Sequence, residues 1–443
     1  MSAAARPGGA PERAALFAVL RSAEFARAYT FTVLGAMLGT HLIERTMGQV
    51  VLRTIIAGLC VTGIAVLVAR REEISFFRLV PTSLVLLTGW AFATIFWSSD
   101  PAISFGRWLA LAAVAVLAVT IGHVRDTLQT VRAFADVARV ALALSLGLEI
   151  FSGVLIDTPL RFLGIQGNIA QWGPVQGIFG TRNMLGIVAV LALITFVVEW
   201  RTHSVRPALS YASIGLGVVL ALLSASPTVF ILAAAVGAAT AALALVRAVP
   251  ARSRVAVQWG LGGAVATAGV ALWVQRSRIL DLLGATDDLA MRNSLWTLAN
   301  FYVRMRPVQG WGFFGPWELS EQPFATINML LRQRHTTALN AFVDVLVQLG
   351  WVGIVLFCAL AGVALVRSWL DASERKSIVY AWTPLMLVAL GVTSLFESVA
   401  LYGTGWLLLV ICAVRAGQSR SWRERLDAIG VRRPPPEPSD ALG

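Results

Sequence analysis

The sequence predicts an all-α polytopic membrane protein of about 12 transmembrane helices with both termini in the cytoplasm. Three observations predict it. First, 57% of the 443 residues are hydrophobic, only 14% are charged, and the mean hydropathy is +0.74. Soluble domains are about 45–50% apolar and about 25% charged. Second, apolar runs of spanning length recur along the whole chain. Third, basic residues are dense in alternate connections. Soluble globular, disordered and fibrous classes are thereby excluded.

The runs lie near 29–45, 48–69, 78–97, 105–123, 136–156, 183–200, 208–225, 227–247, 257–275, 339–366, 378–396 and 399–415. A span needs about 20 residues to cross the hydrocarbon core. The long stretch 208–247 is interrupted at Ser224-Ala225-Ser226-Pro227, a proline and small residues suited to a tight turn between two helices. With the N-terminus inside, the inner segments hold 24 of the 36 basic residues. The short outer turns hold only Arg45, Arg53 and Arg107. That asymmetry follows the tendency of basic residues to stay in the cytoplasm. The net charge of +12 has the same origin, so no nucleic-acid partner is expected. Residues 1–28, broken by Arg6, Arg13, Arg21 and Arg27, read as a cytoplasmic tail without a cleavable signal peptide. Cys60, Cys358 and Cys412 lie in apolar runs at no pairing distance, which suggests neither a disulfide framework nor a metal cluster.

The organisation is then a tail (1–28), helices 1–9 (29–275) with an outer loop at 157–182, a large extracytoplasmic loop (276–338), helices 10–12 (339–415) and a C-terminal tail (416–443). The tail, with Arg432-Arg433-Pro434-Pro435-Pro436, reads as a flexible end. Both outer loops exceed ordinary connectors and are therefore functional candidates. The larger is too aromatic for disorder. The two halves show no repeat, which counts against duplicated transporter folds.

Chemistry-bearing residues concentrate in these loops. Of four histidines, His123 and His203 sit at inner ends of spans and His41 inside the first. Only His335 lies in the large outer loop, close to Arg332 and Arg334 and followed by Asn340 and Asp344. The plainer reading is a solvated loop histidine; the functional one is a general base near neutral pH. Its two arginine neighbours are expected to lower its pKa and favour the neutral form. The loop also carries Arg276, Arg278, Arg292, Arg304 and Arg306, and the other outer loop Arg161 and Arg182. Arginine on the disfavoured side fits bidentate phosphate binding, or plain contact with anionic headgroups. Headgroup contact is expected for Arg304 and Arg306. Leu289, Arg292 and Trp296 fall at helical spacing, so an amphipathic helix is expected to lie on the membrane with Arg292 aimed at a ligand. Asp287-Asp288 point to different sides of a helix and make a poor metal site. Asp344 is placed to orient His335 or a sugar hydroxyl. Glu149 and Glu397 are carboxylates near outer span ends.

Five segments, in order, resemble the O-antigen ligase and polymerase superfamily. Trp97-Ser98-Ser99-Asp100-Pro101, with Ser104 and Arg107, resembles its early W-S-x-D-P turn. Gly177-Ile178-Phe179-Gly180-Thr181-Arg182-Asn183, with Gly186, resembles its G-x-F-x-x-(R/K)-N-x-x-G segment. Leu289, Arg292, Leu295 and Trp296 match L-x-x-R-x-x-(I/L)-W, and Pro307, Gly310, Gly312 and Phe313 match P-x-x-G-x-G-F. His335, Asn340 and Asp344, running into Gly350 and Gly353, resemble its H-x-H-N helix start. The matches cover about 97–353. The chain departs from the pattern twice. Pro227 stands where the family usually has a basic residue held to contact the donor diphosphate. Leu339 stands where many members have a histidine just before the asparagine, which leaves His335 to serve as base.

The resemblance implies a GT-C-like membrane glycosyltransferase of the bacterial cell envelope. It would move a glycan from a polyprenyl-diphosphate donor to a glycan or glycolipid acceptor hydroxyl on the outer face of the cytoplasmic membrane. It would invert the anomeric centre and use no metal or other cofactor. On this reading His335 is the base and Arg292 the first diphosphate ligand. Arg182, Arg332 and Arg334 support it, and Asn183, Trp296, Asn340 and Asp344 position the sugar or the base. Gly310 and Gly312 allow close backbone approach. The bilayer and other envelope-assembly proteins are the further expected partners. A transporter or flippase of lipid-linked glycans, and a catalytically inactive scaffold, are the competing readings.

Overall fold

The computed structural model describes residues 15, 17–72, 79–275 and 286–418; within these, the side chains of 272, 273 and 286–289 are not described. The structure is all-helical, and its described residues contain no strand beyond the single bridge between Leu160 and Ile165. Arg276, Arg278, the proline-rich tail and the side chains of Asp287, Asp288 and Leu289 lie outside what is described.

Each of the twelve apolar runs is mainly helical over its described residues. α1 (Ala23–Leu38), α2 (Thr40–Met47), α3 (Gln49–Ala69), α4 (Thr82–Ala93), α5 (Pro101–Val124) and α6 (Thr127–Ile150) precede the first long loop. α7 (Arg182–Arg201), α8 (Pro207–Leu223), α9 (Pro227–Ala248) and α10 (Ala251–Val274) follow. α11 (Thr286–Met305) and α12 (Phe324–Leu331) belong to the large loop. α13 (Ala341–Glu374), α14 (Trp382–Thr393) and α15 (Gly403–Gln418) complete the chain. Among the described residues, six helices (α3, α5, α6, α7, α9 and α13) are long and apolar enough to cross a membrane, and α4, α8, α14 and α15 are shorter apolar helices. This is the architecture of a polytopic membrane protein.

Surface composition agrees. Val61, Val140, Trp259 and Val265 are about 70% exposed on helix flanks, where a water-soluble protein rarely gathers apolar surface. Helical hydroxyls such as Thr54 and Thr62 donate back to the carbonyl one turn earlier, at 2.9 and 2.8 Å, which satisfies these polar groups within their own helix. Inside the bundle Arg139 of α6 pairs with Glu199 of α7, and its Nε donates to Ser213 Oγ of α8 at 2.7 Å.

Local chemistry sets the helix ends. Asp100 Oδ1 accepts from the amides of Ala102 and Ile103, both at 2.9 Å, and Pro101 occupies the first turn, where a missing N–H costs nothing. The W-S-x-D-P element is therefore a helix start. Thr181 caps α7 and Asn340 caps α13 in the same way. Pro227 opens α9 after a turn in which Ala225 is left-handed, as the sequence predicts.

Two details differ from the sequence reading. The first run breaks at Gly39 into α1 and α2. The large loop is an ordered cap, whose core of Leu295, Ala299, Val303, Phe314, Trp317, Phe324 and Ile327 also buries Ala338 and Val347 at the start of α13. The apolar face of α11 is thus buried in this cap, because packing on protein removes more of its surface from water than a headgroup layer would.

Candidate active site under the loop cap

α13 is interrupted at Gly350, whose φ of 66° and ψ of −166° are non-helical. The break frees the carbonyls of Val347 and Gln348, which accept from the amides of Trp311 and Gly312 at 3.0 and 2.9 Å. The P-x-x-G-x-G-F segment therefore lies directly on the broken helix. A Cβ on Gly310 would stand 2.4 Å from the Gln348 carbonyl oxygen, and one on Gly350 would stand 2.2 Å from that of Val308. Both sites need glycine for clearance and for positive φ. Gln348 secures the same segment: its Oε1 accepts from the amides of Phe314 and Gly315, and its Nε2 donates to Gly315 O.

The W-S-x-D-P turn joins from the other side. Trp97 Nε1 donates to Gln309 O at 3.3 Å, Ser104 Oγ to Phe313 O at 2.9 Å, and Arg306 Nη1 to Trp97 O at 3.2 Å. Arg306 also stacks on Trp311, its guanidinium 4.3 Å from the ring centre. It braces the cap, contrary to the expected headgroup contact, because the Trp97 carbonyl and the Trp311 face offer it both acceptor and platform. Arg304 is exposed. Arg107 pairs with Glu318 of the cap at 3.2 Å.

Segment 336–340, which leads into α13, is held from every direction. Arg292 and Trp296 reach it from one face of α11. Arg292 Nη1 donates to Leu339 O at 3.0 Å and to Phe396 O at 2.7 Å; Trp296 Nε1 donates to Ala338 O at 2.8 Å. Arg292 is 8% exposed. Asp344, 1% exposed, accepts from Trp317 Nε1, from the Ala338 amide at 3.0 Å and from the Ser398 hydroxyl. Asn340 Nδ2 donates to Leu395 O at 3.1 Å while its Oδ1 caps α13. The sequence places Asp344 as a partner of His335 or of a sugar; instead its oxygens bind the cap, the leading segment and the α14–α15 connection.

His335 is half-buried. Its backbone amide and carbonyl are both taken by the Asn328 side chain, and its Nε2 lies 2.9 Å from Gln333 Oε1. With Nε2–H donating to that oxygen, Nδ1 is left as the proton acceptor. Its pKa is lowered from 6.5, first by burial and then by the positive charge of Arg292. The direction is as expected from the sequence, but burial is the main cause, and the charge that adds to it is that of Arg292 rather than of Arg332 and Arg334. Those two side chains are exposed, where water screens their charge. Arg332 ends α12 in a left-handed conformation with φ 52°.

The G-x-F-x-x-R-N segment completes the cluster. Glu149 Oε1 accepts from the amides of Gln176 and Gly177, both at 2.8 Å, and Ser145 Oγ from Ile178. Asn183 Nδ2 then donates to Glu397 Oε1 at 2.8 Å, and Asn183 Oδ1 accepts from Ser226. Glu397 adjoins Phe396, the acceptor of Arg292. Arg182, at the start of α7, is exposed. Pro227, the departure from the family pattern, follows the Asn183 partner Ser226.

All five segments thus meet at one end of the bundle. Arg292, Trp296, Asn340, Asp344, Gly310 and Gly312 form a connected frame around 336–350, with His335 beside Arg292 and Asn183 tied in through the 394–398 connection. The sequence reading missed Asn328, Trp317, Gln348 and Ser398. Gln348 carried a signal, a polar residue inside an apolar run; the others carry none without tertiary structure. Comparison with models of known protein families and with curated proteins finds no match to this chain.

Proposed function

We propose that the chain is a twelve-span glycosyltransferase with both termini in the cytoplasm. It transfers a glycan from a polyprenyl-diphosphate donor to an acceptor hydroxyl at the outer face of the cytoplasmic membrane. The observation that carries this reading is the convergence of the five segments on one frame around His335 and Arg292. In the proposed step the acceptor oxygen attacks the anomeric carbon and its proton passes to His335 Nδ1. The bond from the anomeric carbon to the diphosphate oxygen breaks, and the electron pair leaves with polyprenyl diphosphate. Single displacement inverts the anomeric centre. Lowering of the His335 pKa keeps the base neutral at physiological pH. Arg292 supplies fixed positive charge beside it, and the exposed Arg182, Arg332 and Arg334 are free to meet the diphosphate.

Purified protein in detergent with a chelator, supplied with polyprenyl-diphosphate glycan and acceptor, tests the reading. Transfer with release of polyprenyl diphosphate supports it. Bound but unreacted donor favours translocation of lipid-linked glycan instead.

A further inference from the structure

A cavity of about 230 Å³ lies at the cap end of the bundle, between α3, α5 and the start of α15. A second, of about 170 Å³, adjoins it at the turn from α1 to α2. The two share Met37, Thr40, Glu44, Tyr402 and Gly403 as walls. Together they reach the lower range of small-molecule sites.

The larger cavity is graded along the helices. Gln49, Arg53, Arg107 and Tyr402 line its cap end, and Leu52, Ile56, Leu111, Val114 and Trp406 line the remainder. From Arg107 to Val114 the slot follows α5 for about 10 Å. Cys60 Sγ meets Ala113 O at 3.3 Å and closes the gap between α3 and α5 at the inner end. Ala110 of the wall is exposed, so the slot opens sideways towards lipid.

Its polar groups are of two kinds. Arg107 is paired with Glu318 at 3.2 Å, and Arg53 Nη2 donates to Gln49 Oε1 at 3.3 Å. The Glu44 carboxylate and the Tyr402 phenol, which border both cavities, have no hydrogen-bond partner among the described residues. A half-buried carboxylate and phenol left unpaired suit a ligand that both donates and accepts, as sugar hydroxyls do. With Glu318 counted, two guanidiniums face two carboxylates, which disfavours a diphosphate here. Apolar walls continuing inward from these groups match a hydrocarbon chain joined to such a headgroup. The walls also belong to the frame around α13. Phe313 accepts from Ser104, Gly315 from Gln348, and Tyr402 stands shortly after Ser398, the donor to Asp344.

We propose that the slot binds a glycolipid, its sugar hydroxyls on Glu44 and Tyr402 and its chain between α3 and α5. Resting on the transferase reading above, this glycolipid is the acceptor.

The test uses the full-length protein in detergent, with bound lipid counted by native mass spectrometry. The probes are digalactosyldiacylglycerol and phosphatidylglycerol of the same acyl chains. The variants are Tyr402→Phe and Glu44→Gln, which keep the shape, Ala110→Trp, which obstructs the slot from an exposed wall position, and Val140→Trp on the exposed flank of α6 as control. Saturable binding of the galactolipid in preference to phosphatidylglycerol supports the proposal if it weakens about tenfold or more in Ala110→Trp, about threefold or more in Tyr402→Phe and Glu44→Gln, and not in Val140→Trp. Equal binding of both lipids, or galactolipid binding unchanged in Ala110→Trp and Tyr402→Phe, overturns it. Should one variant fail to fold, the others decide. In the transfer assay, a raised KM for a glycolipid acceptor with kcat unchanged in Tyr402→Phe supports the acceptor role. Slot-dependent binding without any transfer in wild type supports the site and counts against the transferase reading.

Discussion

Arg292 of α11 donates to the carbonyl of Leu339, a non-glycine residue held left-handed at φ 53°. A charged side chain from the cap thus fixes a strained residue immediately before the start of α13. Left-handed backbone costs a β-carbon-bearing residue about 1–2 kcal/mol. The bonds of Arg292 and Trp296 to Leu339 and Ala338 offset that cost. Leu339→Val, β-branched, is expected to lower stability by about 1–2 kcal/mol, and Leu339→Gly to stay within about 1 kcal/mol of wild type. Thermal unfolding in detergent separates the two.

The Asp344 carboxylate receives three donors and is buried. Asp344→Asn turns one acceptor into a donor facing another donor, so a loss of about 1–3 kcal/mol is expected. Ser398→Ala removes one donor and is expected to cost about 1 kcal/mol. Denaturation midpoints of the two variants give the comparison, with the larger drop in Asp344→Asn.

Clearance at the α13 break is equally specific. Gly350→Ala and Gly310→Ala set a Cβ against backbone oxygen at 2.2 and 2.4 Å and impose a positive φ on alanine. Each is expected to destabilise by more than about 1–2 kcal/mol and to reduce transfer. Gly362→Ala, with nothing within 4 Å on a helix, is the internal control and is expected to be neutral or stabilising by up to about 1 kcal/mol.

The lowered pKa of His335 gives a pH dependence with a definite sign. The protonated form is disfavoured in the folded protein, so the stability contribution is present above 6.5 and lost as pH falls through the lower folded value. Activity requiring the neutral ring should keep its plateau below pH 6.5 before its acid limb falls. Removing the Arg292 charge in Arg292→Gln should move that limb upward, towards 6.5, alongside a lower plateau. A limb that does not move would separate Arg292 from the titration of His335.

Much of this was legible in the sequence because it is local. Twelve apolar runs became helices, and Asp100-Pro101, Asn340 and Pro227 act within a few residues of themselves, as caps and helix starts do. The break at Gly350 was not legible, since glycine within an apolar run reads as a helix until its carbonyls find Trp311 and Gly312. The same holds for Asn328, which grips the backbone of His335, and for Arg306, whose acceptor lies in Trp97. Composition and spacing report that a residue is buried or charged, while the identity of its partner is decided by the tertiary fold.

The central claim is that His335 takes the proton of the acceptor. Single-turnover transfer from polyprenyl-diphosphate glycan, measured for wild type and His335→Gln with matched thermal stability, tests it most directly. General-base catalysis is worth roughly 10²–10⁴-fold, so the variant should release polyprenyl diphosphate at least about 100-fold more slowly while still binding donor. Release by His335→Gln at the wild-type rate would contradict the account.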